Sequence, residues 1–285
     1  MADSLARAKA RLRTDKPRSV FPVTDPSQLR RFFANKWTLR FLVYGGMLVA
    51  WQVVAIIKGP LFHPLLQDTI RAFGSSFENG YYLVMLESLK QMIIGFLLSC
   101  IVAIPLGAMM GRFRVVEDLF APYVNTLFVT SREALLPLLV VAFGTGLGYR
   151  VAVVVTFAFF FPVMNTAAGV RFVDKNLVET ARAFCTSPWR MFTQIYLPAA
   201  APFVVAGLRL GLGMALKGFV IAEIWVILGT GELLVKTGAF RQLDIFFSLA
   251  LVIAAIGVLS NELMKSLERR LRPWARLTAH GAAGL

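Results

Sequence analysis

What most constrains this chain is a series of long stretches without a charged side chain. Residues 41–57, 92–110 and 151–170 run for 17, 19 and 20 residues without one. A helix rises about 1.5 Å per residue and the hydrocarbon core of a bilayer is about 30 Å thick, so each stretch is long enough, or nearly so, to cross it. With 57% hydrophobic residues, 16% charged and a mean hydropathy of +0.67, the chain is too apolar for soluble domains of ordinary composition. The 285 residues therefore read as an all-α, polytopic membrane protein.

Three further stretches complete the count. Residues 119–149 are uncharged except for Arg132 and Glu133, with Pro137 close behind. The piece before Arg132 reaches only about 20 Å, so 119–149 is expected to be one pass, broken near Arg132. Residues 199–228 form a span interrupted by Arg209, Lys217 and Glu223, and 245–261 form the last. The second span is expected to begin near Leu83, ahead of its uncharged stretch, with Glu87 and Lys90 in its first turns. Residues 58–83, punctuated by Gly59, Pro60 and Pro64, read as a loop holding a short helix. The expected organisation is a basic arm at 1–40, a first span at 41–57, a core at 83–263 that includes a loop at 171–198, and a basic tail at 264–285.

A net charge of +14 would in a soluble protein suggest nucleic acid. Here 21 of the 30 cations fall in four segments: 1–40, 111–118, the 171–198 loop and the tail. Five fall in the alternate loops and four within the spans. The positive-inside rule then places both termini and the 171–198 loop in the cytoplasm, makes the bilayer the partner of the basic segments and leaves no case for nucleic acid.

Several chemistries find no support. Cys100 and Cys185 offer neither a disulfide framework nor ligand spacing, and His63 and His280 lie far apart in sequence. No phosphate-binding G-x-x-x-x-G-K-[ST] occurs, so ATP hydrolysis is expected of another chain, and no cofactor or metal of this one.

The 171–198 loop carries a pattern. Residues 174–184 read as a short helix with Leu177, Ala181 and Phe184 on one face and Glu179 and Arg182 together on a polar side. Ser187 suits an N-cap and Pro188 the first position of a second helix, and Pro198 marks the return to the membrane. Such a loop could lie on the headgroups or dock into a soluble partner. The sequence Glu179-Thr180-Ala181, three residues, Cys185, nine residues, then Ile195-Tyr196-Leu197-Pro198 resembles the E-A-A-x3-G-x9-I-x-L-P signature of membrane subunits of binding-protein-dependent ABC importers. The stretches from Pro162 to Arg171 and from Gly207 to Leu210 resemble the group importing nitrate, sulfonates, taurine and bicarbonate.

The resemblance implies a type I importer permease (MetI-like) fold in a bacterial inner membrane, paired with a second permease subunit, expected to be another copy. It implies a cytoplasmic ABC ATPase dimer, which binds ATP and Mg, and an extracytoplasmic solute-binding protein. Leu177, Glu179, Ala181, Arg182, Phe184, Cys185, Ile195, Leu197 and Pro198 become the expected ATPase-coupling residues. Thr180 and Cys185 depart from the signature. The glycine that Cys185 replaces would end the helix in a left-handed conformation, which a Cβ disfavours, so an altered turn is expected.

Charges within spans normally face water or protein. Arg209, Lys217 and Glu223 fall within an arc of about 120° on an ideal helix. With Arg132 and Glu133 they are the candidate translocation pathway, the cations favouring an anionic solute. A structural ion pair with Glu223 is the alternative. Phenylalanine-rich 157–161 is expected to pack or face lipid. The function expected is the pathway-forming permease of an ABC importer, not an enzyme. An ion-driven secondary carrier or channel is the second reading, and a membrane-embedded enzyme finds no catalytic spacing.

Overall fold

The computed structural model describes residues 36–59, 62–173 and 175–279 and, within them, all side chains except those of residues 36–39, 175, 177, 189 and 271–279. Residues 1–35 of the basic arm expected at 1–40 lie outside the described residues. Among those described, every regular element is helical. The elements are α1 (Lys36–Lys58), α2 (Leu66–Glu78), α3 (Tyr81–Arg112), α4 (Arg114–Val129), a 3-10 turn (Arg132–Leu135), α5 (Leu136–Phe143), α6 (Leu147–Ala158) and α7 (Phe160–Arg171). After these come α8 (Lys175–Ala183), α9 (Pro188–Met191), a π-helical turn (Phe192–Tyr196), α10 (Leu197–Val226), α11 (Gly229–Ala239) and α12 (Leu243–Ala279).

The chain divides into two units at Gly59. In the first, α1 is a 23-residue helix, about 34 Å long, whose side chains from Arg40 to Ala50 are all exposed. Unpaired apolar surface of that extent suits lipid.

The second unit is a bundle held together by small residues. Helices in lipid gain little from hydrophobicity and associate where backbones approach closely. Gly95, Gly107 and Gly111 of α3 lie against Val154, Val163 and Ala167, so tightly that a Cβ on Gly107 would come within 2.5 Å of the Val163 carbonyl oxygen. Gly169 meets Phe203, Gly207 meets Asn165, and Gly218 meets Phe157. The order of these pairs gives direction: α3 and α6–α7 run parallel, while α10 runs antiparallel to them. Arg209 pairs with Glu268, and Leu216 lies nearest Gly257, so α12 is antiparallel to α10.

Parallel neighbours require the chain between them to return. The helices α4 and α5, bent by 98° about the Thr130–Ser131 break, connect the Arg112 end of α3 to the Tyr149 end of α6. To enter α6 parallel to α3 the chain must regain at least the Gly95-to-Gly111 separation, about 24 Å of helix, so the bent pair counts as one broken crossing. Counted this way there are six apolar spans, five of them single long helices or near-continuous pairs.

Three boundaries differ from the expected ones. The first span begins at Lys36, within the arm expected at 1–40. The last helix continues 18 residues past Asn261, so the tail begins within α12. The return at Pro198 is prefaced by a π-helical turn. Pro198 and Pro202 lack N–H groups, leaving the carbonyls of Gln194 and Pro198 without helical partners, and a locally widened helix is a common accommodation.

Candidate functional site

At the end of the bundle where Arg112 and Arg171 terminate their helices, α8 lies on a turn of defined geometry. Cys185 takes φ 51°, the left-handed conformation that the glycine of the signature would take. The amide of Cys185 donates to the Arg182 carbonyl at 2.9 Å and that of Thr186 to the Ala181 carbonyl at 3.1 Å, the crossed pair of a Schellman stop. The altered turn expected from the Cβ is therefore not found: the hydrogen bonds hold the conformation against its steric cost. Ser187 accepts a hydrogen bond from the amide of Arg190 at 3.4 Å, and α9 starts at Pro188, the capping arrangement expected of Ser-Pro.

The faces of α8 differ from those read in the sequence. Val178 is buried and Ala181 half-buried, both packed against Val170, Met191 and Tyr196. Phe184 does not join them; it is 80% exposed. The side chain of Leu177 lies outside the described residues. Helix periodicity puts Val178 on the same face as Ala181 at i, i+3, and both pack in one cluster. Glu179 and Arg182, both exposed, line a cleft of about 360 Å³ with Arg112, Arg171 and Tyr196. Ile195 and Pro198 are half-buried and Leu197 is exposed at the start of α10.

Arg209 and Lys217 share a second, mostly apolar cleft of about 400 Å³ between α7, α10 and α12, with Ser260 and Asn261 on its far wall. The guanidinium of Arg209 donates to Glu268 of α12 at 2.7 Å. Lys217, two turns further along, is exposed and has no ion-pair partner among the described residues.

Glu223 belongs elsewhere. Its side chain is 1% exposed and accepts hydrogen bonds from the amides of Thr230 at 2.8 Å and Gly231 at 3.2 Å, at the N-terminus of α11. Its other oxygen receives Arg150 at 3.3 Å. A carboxylate there satisfies two of the unpaired amides of a helix start and opposes the positive end of its dipole. The grouping of Glu223 with Arg209 and Lys217, whether as lining or as an ion pair, is thus corrected. Its cation is Arg150, which in the sequence falls between two apolar stretches and counts among the loop cations. A turn after Ile227, itself at φ 51°, brings the amides at the start of α11 onto Glu223, and no local spacing announces that contact.

Arg132 sits at the break between α4 and α5. Its guanidinium lies over the rings of Phe128, Phe157 and Phe160 at 5.5, 5.9 and 5.5 Å, and it donates to the Phe128 carbonyl at 3.3 Å. Stacking on three aromatic faces lets the charge persist where lipid would exclude it. Phe157 and Phe160 are core residues, as packing of the phenylalanine run allowed. Glu133 is exposed and accepts a hydrogen bond from Ser131 at 2.9 Å. Among the described residues no cluster of three His, Cys, Asp or Glu side chains could hold a metal ion.

Comparison with known proteins follows the same lines. A family described as binding-protein-dependent transport system inner membrane component matches residues 103–273, which include α8, both clefts and Glu223. An ABC transporter permease protein of Brucella melitensis is 30% identical over 81% of this chain and 92% of its own length. The taurine transport system permease protein TauC of Escherichia coli is 29% identical over 83% of this chain and 90% of its own. The bicarbonate transport system permease protein CmpB of Synechococcus elongatus is 24% identical, over 79% and 85% respectively. With six apolar spans, a capped helix at their basic end and this extent of match, the chain is a multi-pass transport permease that belongs to the binding-protein-dependent transport system inner membrane component family.

Proposed function

We propose that this chain is the permease subunit of an ABC importer, carrying a small organic or inorganic anion across the bacterial cytoplasmic membrane and driven through α8 by a separate ATPase dimer. The observation that carries this reading is the placement of α8: a short helix packed through Val178 and Ala181 onto the ends of the spans, stopped by a rigid turn, and offering Phe184 outward. A lever must be stiff to pass motion on, and an exposed aromatic beside charged groups suits a protein groove. Both termini and the 171–198 loop face the cytoplasm in this reading, following the cation distribution. ATP and Mg are held by the ATPase, and solute arrives from an extracytoplasmic binding protein. A second copy of this chain completes the pathway.

Lys217, with Arg209 below it, gives the α7–α10–α12 cleft its charge. A lysine without an anionic partner at that depth favours a solute that supplies the anion. The names of the taurine and bicarbonate relatives point the same way. Co-purified with its ATPase and binding protein in proteoliposomes, the chain should support uptake that needs all three components and ATP. Uptake by the chain alone, driven by an ion gradient, would establish the secondary carrier that charged spans also suit.

A further inference from the structure

An apolar groove of about 780 Å³ runs along the last three turns of α3. Ile104, Pro105, Met109 and Phe113 form one wall, and Phe192 and Leu197, from the π-helical turn and the start of α10, form the other. Arg112 lines both this groove and the polar cleft beneath α8. Its guanidinium is held over the rings of Tyr196 at 5.1 Å and Phe113 at 5.4 Å and has no carboxylate partner among the described residues. In the cleft Arg171 is already paired with Glu117 at 2.9 Å, which among the described residues leaves Arg112 and Arg182 facing Glu179, a surplus of one positive charge.

From this juxtaposition we infer that the groove and cleft together bind one anionic phospholipid, with an acyl chain along α3 and the phosphodiester at Arg112. Three features select that occupant. The groove lies within the apolar part of α3 and ends at the arginine that terminates the span, the depth order of tail and headgroup in a bilayer. A phosphodiester carries one negative charge, matching the surplus. A planar guanidinium fixed over aromatic rings is poised to donate two parallel hydrogen bonds to a phosphate. Basic pockets between spans at the membrane surface are a known form of lipid headgroup recognition. The lipid would wedge between α3 and the segment that follows α9, so it would brace the loop that carries α8. The inference stands on the groove and does not depend on the transport reading.

The test is lipid retention by the purified permease complex, measured by native mass spectrometry after extraction from membranes holding equal phosphatidylglycerol and phosphatidylcholine. The wild type should retain phosphatidylglycerol selectively. Arg112→Gln should lower that retention at least about fivefold, and Met109→Trp, which fills the groove from an exposed position, should lower retention of both lipids. Arg114→Gln removes the same charge from an exposed residue outside the groove and should change little. Equal losses from Arg112→Gln and Arg114→Gln would reduce the effect to general surface charge and overturn the proposal. Inorganic phosphate at millimolar concentration displacing the lipid would overturn it in favour of a free-anion site, as would unchanged retention in Met109→Trp. A permease–permease cross-link formed through Met109→Cys would assign the groove to a second copy instead.

Discussion

Replacing Glu223 should destabilise the protein far more than it alters which solute is carried. The carboxylate is 1% exposed and satisfies two amides of α11 while opposing Arg150, whose side chain is 20% exposed. Glu223→Ala strands both amides and one cation. Breaking a buried pair by removing one partner costs about 3–5 kcal/mol, and the partial access of Arg150 to water argues for the lower end, about 3 kcal/mol. Glu223→Gln keeps an acceptor for one amide and exchanges charged hydrogen bonds for neutral ones, a difference of about 1–2 kcal/mol. Arg150→Met leaves the carboxylate with its two amide donors and the dipole of α11, and should cost about 1–2 kcal/mol. Because the two residues touch, the double mutant should fall short of additivity by about 1 kcal/mol or more. Denaturant titration of the purified chain in mild detergent, read by circular dichroism, provides the cycle. A loss below about 1 kcal/mol in Glu223→Ala, or strictly additive single losses, would show that this pair does not stabilise the fold.

Three further substitutions separate local structure from transport. Cys185→Gly should relieve a left-handed residue of about 1 kcal/mol of strain and slow amide exchange at Thr186 several-fold, with uptake preserved. Lys217→Gln should raise the KM for uptake of an anionic solute by about tenfold, the equivalent of roughly 1.4 kcal/mol, while the complex still assembles; an unchanged KM would remove Lys217 from the pathway. Gly107→Ala should lose about 1–3 kcal/mol through overpacking against the Val163 carbonyl, visible as a lower yield of monodisperse protein by size-exclusion chromatography.

The six spans were legible because bilayer thickness sets a length that uncharged runs either reach or miss, and because the break at Arg132 leaves a piece too short to cross. The Ser187 cap was legible because it is set by residues a few positions apart, whereas the left-handed stop at Cys185 was not, since its Cβ argues for an altered turn. Nor was tertiary pairing. Glu223 lies 73 residues from Arg150, and Arg209 lies 59 from Glu268, separations over which sequence spacing carries no geometric information. Arg150 reads as a loop cation because it begins a helix, although its guanidinium turns inward. On α8 the difficulty was of a different kind: helix periodicity alone does not say which apolar side chains meet the spans, and only the packing shows Val178 buried and Phe184 exposed.

If α8 transmits the work of an ATPase to the spans, deletion of residues 176–186 must uncouple them. The complex with its ATPase and binding protein would be reconstituted in proteoliposomes and ATP-dependent uptake of the solute measured with and without the deletion. Loss of uptake in a permease that retains its fold and membrane insertion is the predicted result. Uptake unchanged by the deletion would show that α8 is not the link between ATPase and spans.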